Sequence, residues 1–501
     1  MIPASLTLVV MLTLAPGLIF AAGYLQPLPG MATAILAALS VVSTVRRTDW
    51  RGRPDWLLLA TAIATAATLT LVSGIGHFFW QTDDWTVRDA ILSDLVRNPW
   101  PVSYTLPGGE GLLRAPLGMY LVPALAGKAM GLGAAEAALF AQNAALLALF
   151  LYIFAATMPP GRSRWIAMAL FVGFCGIDCI PWALRWIEGD LPKLWLPHID
   201  VWSGYFQYSS HVTQLFWTPH HALGGWAAIA AYQNWRAGRL PALLAAPLWV
   251  ASFFWSPLAA AGAVPFLAFA LACDLRDGKV RAADFASAAA AGLAALPAAA
   301  FLTRDSGAIE KGFMDFTDPN LQAAYVSLLG FKAAPWLLVA WLGRDPADRR
   351  ALTELSLLTA VLLAIPFYKI GFANDFAMRA SIPALALLCL RSVPALATMS
   401  AQPVARRAML ASVVALGAVT PAVETARNFT RQASPRSACN VLESLKDGPY
   451  AGSPLDYYIA SAASFDTRPA LFRGPSMAPL SVHIRRCWPG RRFVYGPPSA
   501  L

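Results

Sequence analysis

Long apolar runs recur along most of this chain, and they constrain its fold more than any other feature of the sequence. A helix of about 20 apolar residues crosses the hydrocarbon core of a bilayer, and runs near that length recur between Leu6 and Thr425. Hydrophobic residues make up 57% of the chain and charged residues only 13%, whereas soluble proteins carry about 25% charged residues. The composition therefore excludes a soluble enzyme, a disordered chain and a nucleic-acid-binding protein, and it makes the lipid bilayer a partner.

The fold class that follows is an all-α polytopic membrane protein with about thirteen transmembrane helices. One further apolar stretch, Leu113–Met130, is predicted to lie in the outer interface, because a crossing there would move Arg162 and Arg164 away from the other basic loops. The predicted spans lie within Leu6–Tyr24, Met31–Val45, Trp56–Phe79, Glu136–Thr157, Trp165–Leu184, Phe216–Trp235, Pro241–Phe254, Ala260–Ala272, Phe285–Leu302, Pro335–Leu342, Leu352–Tyr368, Ala380–Leu390 and Met409–Thr425.

Lys and Arg collect in alternate loops, which the positive-inside rule assigns to the cytoplasm. This bias accounts for the formal net charge of +10. The N-terminus is then cytoplasmic, and the intervening loops face the periplasm of a bacterial inner membrane. The basic loops contain Arg46, Arg47, Arg51 and Arg53; Arg162 and Arg164; Arg236 and Arg239; Arg276, Lys279 and Arg281; Arg349 and Arg350; Arg406 and Arg407.

The same alternation predicts the domain organisation. A transmembrane domain covers residues 1–427, with external loops at 80–135, 185–215 and 303–333, and a small periplasmic tail domain covers 428–501. Cys439 and Cys487 both lie in the tail, where they either form a disulfide or stay as two thiols. The remaining cysteines are predicted to be inert packing residues; they are Cys175, Cys179, Cys273 and Cys389.

The first predicted external loop carries the strongest chemical signal. Asp83 and Asp84 follow directly on the outer end of a span, and a short amphipathic helix comes after them. Adjacent carboxylates repel each other, which favours proton uptake by one of them, and such a group can act as general base toward a hydroxyl nucleophile. Two structural alternatives stay open. Asp84 can serve only as the N-cap of the helix, and Arg88 can pair locally with Asp84, which is favoured over a phosphate contact.

Several short motifs follow the two aspartates in a recognisable order. Within residues 80–136 they are Asp83-Asp84, Arg88, Trp100-Pro101, Arg114-Ala115-Pro116-Leu117-Gly118-Met119-Tyr120, Gly131-Leu132 and Glu136. This order resembles the GT-C superfamily of membrane glycosyltransferases, in particular its aminoarabinose-transferase and protein-mannosyltransferase branches. The chain departs from those branches in having Arg114 for a lysine and Ala115 for a proline, in placing Arg88 one residue farther from its acid, and in two extra spans before the loop.

The resemblance implies a GT-C-like helical bundle with interfacial helices in its first external loop. It also implies an inverting transfer of a sugar from a polyprenyl-phosphate carrier to an envelope glycan, glycolipid or protein. In that family an aspartate of the first external loop acts as general base, and this role is carried over to Asp84, with Asp83 as the rival.

Histidines gather at the predicted external ends of the spans. His211, His220 and His221 lie near the start of the span Phe216–Trp235. One alternative is hydrogen bonding to a sugar or a phosphate, and another is packing at the helix start after a proline. A third is a divalent cation, Mg²⁺ or Mn²⁺, held by Asp83, Asp84 and His211.

A last polar group precedes the span Ala380–Leu390. Asn374 or Asp375 can cap that helix, whose free N–H groups then form an anion site. Lys369 and Arg379 add positive charge there, so this is the preferred holder of the carrier phosphate, with Arg114 as a further candidate. The alternative is a local Asp375–Arg379 pair and a lysine that extends to the interface.

Two other classes of protein stay open. A flippase for a lipid-linked glycan would have ionisable groups within the spans, at mid-depth. A polysaccharide polymerase or ligase would share lipid-linked donors. The gathering of polar residues at the external ends favours the transferase.

Overall fold

The computed structural model describes residues 2–190, 196–451, 454–466, 470–475, 477–483 and 486–488. In these ranges nine helices are long and apolar enough to cross a membrane. The chain is therefore a multi-pass α-helical protein of the membrane. The nine candidate spans are Ala4–Tyr24, Pro27–Arg46, Leu132–Ala156, Pro257–Arg276, Ala282–Thr303, Pro319–Gly343, Arg349–Phe367, Asp375–Ala397 and Val404–Thr430.

The individual α-helices are shorter than some of these spans, because several spans combine two helical segments. In chain order they are α1 (Ala4–Tyr24), α2 (Pro27–Arg46), α3 (Trp56–Val72), α4 (Trp85–Arg97), α5 (Leu121–Met130), α6 (Leu132–Ala156), α7 (Arg162–Gly173), α8 (Cys179–Glu188), α9 (His211–Trp217), α10 (Pro219–Arg236), α11 (Ala246–Trp255), α12 (Pro257–Arg276), α13 (Ala282–Thr303), α14 (Pro319–Leu328), α15 (Ala334–Gly343), α16 (Arg349–Ala364), α17 (Asp375–Ala397), α18 (Val404–Gly417), α19 (Val419–Thr430) and α20 (Val441–Asp447).

Short strands supplement the helices at their ends. β1 pairs in parallel with β2, β4 pairs antiparallel with both β3 and β7, and β5 pairs antiparallel with β6. The strands are β1 (Ile2–Pro3), β2 (Thr48–Asp49), β3 (Ser103–Leu106), β4 (Gly109–Leu113), β5 (Lys311–Phe313), β6 (Tyr368–Ile370) and β7 (Ile459–Ser461).

The predicted span Trp165–Leu184 is wrong as a single helix. α7 ends after 12 residues, which is about 18 Å of helix, and α8 begins only at Cys179. Backbone that is irregular at membrane depth needs protein partners. Ile177 N donates to Phe331 O at 2.8 Å, and Asp178 meets Lys332 Nζ at 2.6 Å. The count of about thirteen spans is accordingly not confirmed.

The predicted interfacial stretch Leu113–Met130 is a helix only from Leu121 onward, since Leu113 belongs to β4. Its ten residues cover about 15 Å, too little for a hydrocarbon core of about 30 Å. α5 therefore does not cross the membrane as a helix, and its interfacial position stays a prediction.

Three parallel helices, α10, α12 and α17, form the centre of the bundle. Gly225 of α10 lies against Ile382 of α17, and Gly262 of α12 lies against the backbone of Ala380. His221 Nδ1 and Ser256 Oγ, at 2.7 Å, join the starts of α10 and α12. α10 is not among the nine candidate spans because it carries polar residues such as Gln233, and these are buried by its neighbours. All three helices begin at the same end of the bundle.

The predicted basic loops meet at the opposite end, here called the basic end. Arg47 pairs with Asp284, and Arg350 pairs with Asp277. Further ion pairs at this end join Asp55 to Arg164 at 3.1 Å and Arg236 to Asp348 at 2.6 Å. Several of the predicted basic loops therefore lie together at one end of the bundle.

The other end, here called the loop end, carries α4, α5 and the tail. α19 runs to Thr430, across the boundary predicted at residues 427 and 428. Beyond it, β7 continues the sheet of the first loop, with Leu112 paired to Ala460. α20 contacts α4 through Val441 N, which donates to Asp94 Oδ2 at 3.0 Å. The tail therefore packs directly onto the first loop.

Candidate active site

Asp84 stands at the start of α4 but does not cap it. No cap hydrogen bond from its side chain is found among the described residues. The carboxylate instead accepts a hydrogen bond from Arg88 Nη2 at Oδ2, at 2.6 Å, and one from the Tyr450 hydroxyl at Oδ1. The local Asp84–Arg88 pair predicted from the spacing is confirmed, and the alternative that Asp84 serves only as a cap is not supported.

Asp83 is more deeply buried than Asp84. It is fully buried, and its charge acts on Arg431 and on Tyr450. Burial and the neighbouring Arg427 lower the pKa of Arg431, while Asp83 raises it. The two adjacent aspartates therefore both act on Tyr450 but differ in their arginines, Arg431 for Asp83 and Arg88 for Asp84. Asp84 is the more accessible one, with 16% of its side chain exposed.

A second ion pair begins α17. Asp375 and Arg379 lie 3.3 Å apart at positions i and i+4. Asn374 caps the helix, because its side chain accepts from Ala377 N at 3.3 Å, and it adopts the left-handed conformation. The charges of Asp84 and Arg88 both act on Asp375, so the two ion pairs face one another.

His220 and His221 occupy the first turn of α10, between the two pairs. Both rings experience the charges of Arg88 and Arg379. His220 is 5% exposed, and its Nδ1 has no hydrogen-bond partner within the described part of the chain. These six side chains are here called the site cluster: Asp84, Arg88, His220, His221, Asp375 and Arg379.

The backbone adds a positive potential to the site cluster. α10, α12 and α17 begin beside it, and the first N–H groups of a helix together with its dipole favour an anion. Two further groups point to a ligand, since the Nε atoms of Arg88 and Arg379 are buried and lack partners among the residues described. The arrangement can hold a phosphate beside a carboxylate.

Three tyrosines that sequence reasoning missed complete the wall of the site. Tyr120 lies 6.3 Å from the His220 ring. Tyr458 is influenced by Arg88, Asp84, Asp375 and Arg379 at once, and burial raises its pKa. Burial and Asp84 raise the pKa of Tyr450 well above its ordinary value. Tyr120 ends the Arg114–Tyr120 motif, whereas Tyr450 and Tyr458 gave no local signal.

Three of the predicted binding residues lie outside the site cluster. Lys369 pairs with Glu310 at 2.7 Å. His211 is bound through Nδ1 to Phe171 O at 2.8 Å and packs among aromatic rings. Arg114 donates to the backbone of Leu302 at 3.2 Å and to that of Asp456, and burial lowers its pKa. Their predicted phosphate, sugar or metal roles are not reflected in these contacts.

One group of potential metal ligands occurs in the described residues, and it differs from the predicted one. It consists of Cys175, Asp178 and Asp200, not of Asp83, Asp84 and His211. The Lys332 ammonium lies between its two carboxylates, 2.6 Å from Asp178 and in contact with Asp200. Cys175 is therefore part of a buried polar group, here called the Lys332 cluster, rather than a packing residue.

The tail cysteines form a disulfide, Cys439–Cys487. This decides between the two alternatives that the sequence left open. Cys273 and Cys389 are buried, in agreement with the predicted packing role.

Comparisons with protein families, with curated proteins and with solved structures give no match to this chain. The conclusions about its function rest on its own residues.

Proposed function

We propose that the chain is an integral membrane glycosyltransferase with a GT-C-like bundle. Its donor is a sugar on a polyprenyl-phosphate carrier, and its acceptor is a glycan, glycolipid or protein of the bacterial cell envelope. The reaction takes place at the loop end, on the periplasmic side of the inner membrane. The Cys439–Cys487 disulfide supports this side, because disulfides persist in oxidising compartments.

The observation that carries the proposal is the composition of the site cluster. A carboxylate that is partly exposed, two guanidinium groups and two histidines meet where three helices begin. A sugar phosphate needs both kinds of group. The anionic leaving group needs positive charge, and the acceptor hydroxyl needs a base.

In the proposed reaction, Asp84 is the base, and Arg88 and Arg379 bind the phosphate. Asp84 accepts the proton of the acceptor hydroxyl, whose oxygen forms a bond to the anomeric carbon. The bond from that carbon to the phosphate oxygen breaks on the opposite face, so the configuration is inverted. Arg379 and Arg88, with the first turns of α10 and α17, stabilise the charge that develops on the departing phosphate.

Sugar transfer in proteoliposomes tests this proposal. A panel of radiolabelled polyprenyl-phosphate sugars is supplied with membrane extract as acceptor, and the wild type is compared with Asp84→Asn, Asp83→Asn and the double variant. We expect transfer by the wild type and loss of at least a hundredfold in Asp84→Asn, which is the lower range for a general base. EDTA treatment shows whether Mg²⁺ or Mn²⁺ takes part. Equal transfer by the wild type and Asp84→Asn would contradict the proposal.

A flippase for a lipid-linked glycan is the second candidate, and the Lys332 cluster is the observation that favours it. Lys332 lies within the candidate span Pro319–Gly343 and is buried with two aspartates, as expected for a transport path. Movement of labelled lipid between leaflets, at equal rates in the wild type and Asp84→Asn, would favour this function over the transferase.

A further inference from the structure

Three tyrosines of the tail reach over the site cluster. Tyr450 donates to Asp84 of α4. Tyr457 lies beside the start of α17, where its hydroxyl accepts a hydrogen bond from Phe372 N. Tyr458 lies between the two ion pairs. Tyr450, Tyr457 and Tyr458 are here called the tail tyrosines, and they connect the first loop to the start of α17.

The parts of the tail on either side of these tyrosines are held firmly. The disulfide Cys439–Cys487 and the bond from Val441 N to Asp94 fix the segment before them. After them, β7 is held by the β4 sheet, and Ser461 N donates to Asp305 Oδ2 at 2.8 Å. Arg114 N also donates to Tyr458 O at 2.7 Å, so the described residues around the tail tyrosines are tied to the first loop, and the hydroxyl of Tyr450 can leave Asp84 without detachment of the tail.

Both oxygens of Asp84 are engaged in this arrangement. Oδ2 accepts from Arg88, and Oδ1 accepts from Tyr450. A general base must accept a hydrogen bond directly from the hydroxyl that it deprotonates. The Tyr450 phenol makes the contact with Asp84 that a sugar or protein hydroxyl would make, and burial keeps that phenol protonated.

We infer that the Tyr450 hydroxyl occupies the acceptor position on Asp84, and that an acceptor hydroxyl replaces it before transfer. This inference rests on the proposed function, in which Asp84 is the base. The acceptor subsite then lies between Asp84 and the tail, on the side away from Arg88. A hydroxyl compound fits it, and an amine that is protonated at neutral pH would pair with Asp84 instead of giving up a proton.

Chemical labelling of the Asp84 carboxyl tests the inference without any transfer reaction. The full chain in proteoliposomes is treated with a water-soluble carbodiimide and glycine ethyl ester, and labelling of Asp84 is followed by mass spectrometry. We expect Tyr450→Phe to label about tenfold faster than the wild type, the factor expected for loss of one hydrogen bond to a carboxylate. Tyr368→Phe is the matched control, since its ring packs on Phe376 and the hydrogen bonds to the Asp84 carboxylate come from Arg88 and Tyr450. Equal labelling of the wild type and Tyr450→Phe overturns the inference.

A second variant controls for misfolding of Tyr450→Phe. Tyr457→Phe leaves Tyr450 in place and removes the contact with Phe372, so we expect Asp84 to be labelled at about the rate of the wild type. Labelling of Asp84 in Tyr457→Phe as fast as in Tyr450→Phe would show that any loosening of the tail exposes this carboxylate, and it would overturn the inference.

Transfer kinetics provide an independent readout. We expect the KM for the acceptor to fall about tenfold in Tyr450→Phe, with kcat unchanged or raised, because the competing phenol is gone. A fall in kcat at constant KM would instead make Tyr450 part of the chemistry and overturn the inference. If no variant, the wild type included, transfers sugar, the proposed function fails, and the labelling result still decides whether Tyr450 covers Asp84.

Discussion

The site cluster and the Lys332 cluster both hold charged groups at low exposure, yet they differ in how completely their polar atoms are paired. In the Lys332 cluster, Asp178 accepts from Lys332, from Trp202 Nε1 at 2.7 Å and from Cys175. Asp200 accepts from Ser210 N at 3.2 Å as well as from Lys332. All three side chains of its ion pairs are at most 1% exposed. In the conformation described, no buried side-chain polar atom of Lys332, Asp178 or Asp200 lacks a partner, and the Lys332 cluster is called the closed cluster for this reason.

The site cluster is more exposed, and its polar atoms are less completely paired. Asp84, Asp375 and Arg379 keep 16%, 25% and 13% of their side chains exposed. Buried nitrogens of Arg88, His220 and Arg379 lack partners among the residues that the structure describes. A buried donor that is left unpaired costs free energy, which a ligand with acceptor oxygens recovers. Under the proposed function, the fully paired Lys332 cluster stabilises the fold, and the partly paired site cluster takes the substrate.

The largest effect is expected in the closed cluster. Lys332→Met leaves two buried carboxylates without their cation, which should lower the free energy of unfolding by about 3–5 kcal/mol. Thermal unfolding in detergent measures it. Lys279→Met serves as control, because this lysine is 57% exposed at the basic end and surface pairs contribute at most about 1 kcal/mol. Equal stability of the two variants would remove the distinction between the clusters.

Asp94 offers a pH-dependent test of how the tail is held over the site cluster. Burial raises its pKa to about 7, above the usual value of about 3.9. The folded state then keeps a proton that the unfolded state loses, so stability is greatest below about pH 4 and falls toward pH 7, by at most about 1.4 kcal/mol per pH unit. Unfolding measured between pH 4 and pH 8 should show this slope in the wild type and lose it in Asp94→Asn.

Arg379→Gln should affect the ligand rather than the fold. The guanidinium is partly exposed at the start of α17, so its loss should leave the melting temperature within a few degrees of the wild type. Removal of one charged phosphate contact should weaken donor binding about tenfold. Equilibrium binding of a labelled polyprenyl phosphate measures the change. Unaltered affinity would place the phosphate elsewhere.

The smallest effect is expected at Lys369, which the sequence favoured as a phosphate ligand. Its ammonium pairs with Glu310, and that carboxylate is 61% exposed. Exposed pairs contribute about 0–1 kcal/mol, so Lys369→Gln should change donor affinity by less than about twofold. A tenfold loss in the same binding assay would restore the role predicted from the sequence.

Interactions between residues close in the chain could be predicted from the sequence. The spacing of Asp84 and Arg88, and that of Asp375 and Arg379, predicts pairs at i and i+4, and both are present. The basic loops follow from composition, and the ion pairs of the basic end bring them together.

Contacts between distant segments could not be predicted in this way. Tyr450 is 366 residues from Asp84, and no local pattern connects the two. Lys332 is 132 residues from Asp200. The sequence therefore predicted a continuous span through Trp165–Leu184, because the residue that stabilises the break between α7 and α8 lies far along the chain. The pairing of Lys369 with Glu310 could not be predicted either, since Glu310 lies in another loop.

The central claim is that the site cluster performs chemistry while the closed cluster maintains the fold. The most direct test measures the melting temperature and the sugar turnover of Asp84→Asn in one preparation, beside Lys332→Met. We predict that Asp84→Asn melts within a few degrees of the wild type and turns over sugar at least a hundredfold more slowly. For Lys332→Met we predict a lower melting temperature as the main effect. Turnover of Asp84→Asn at the rate of the wild type, or a loss of turnover that follows only its loss of folded protein, would contradict the claim.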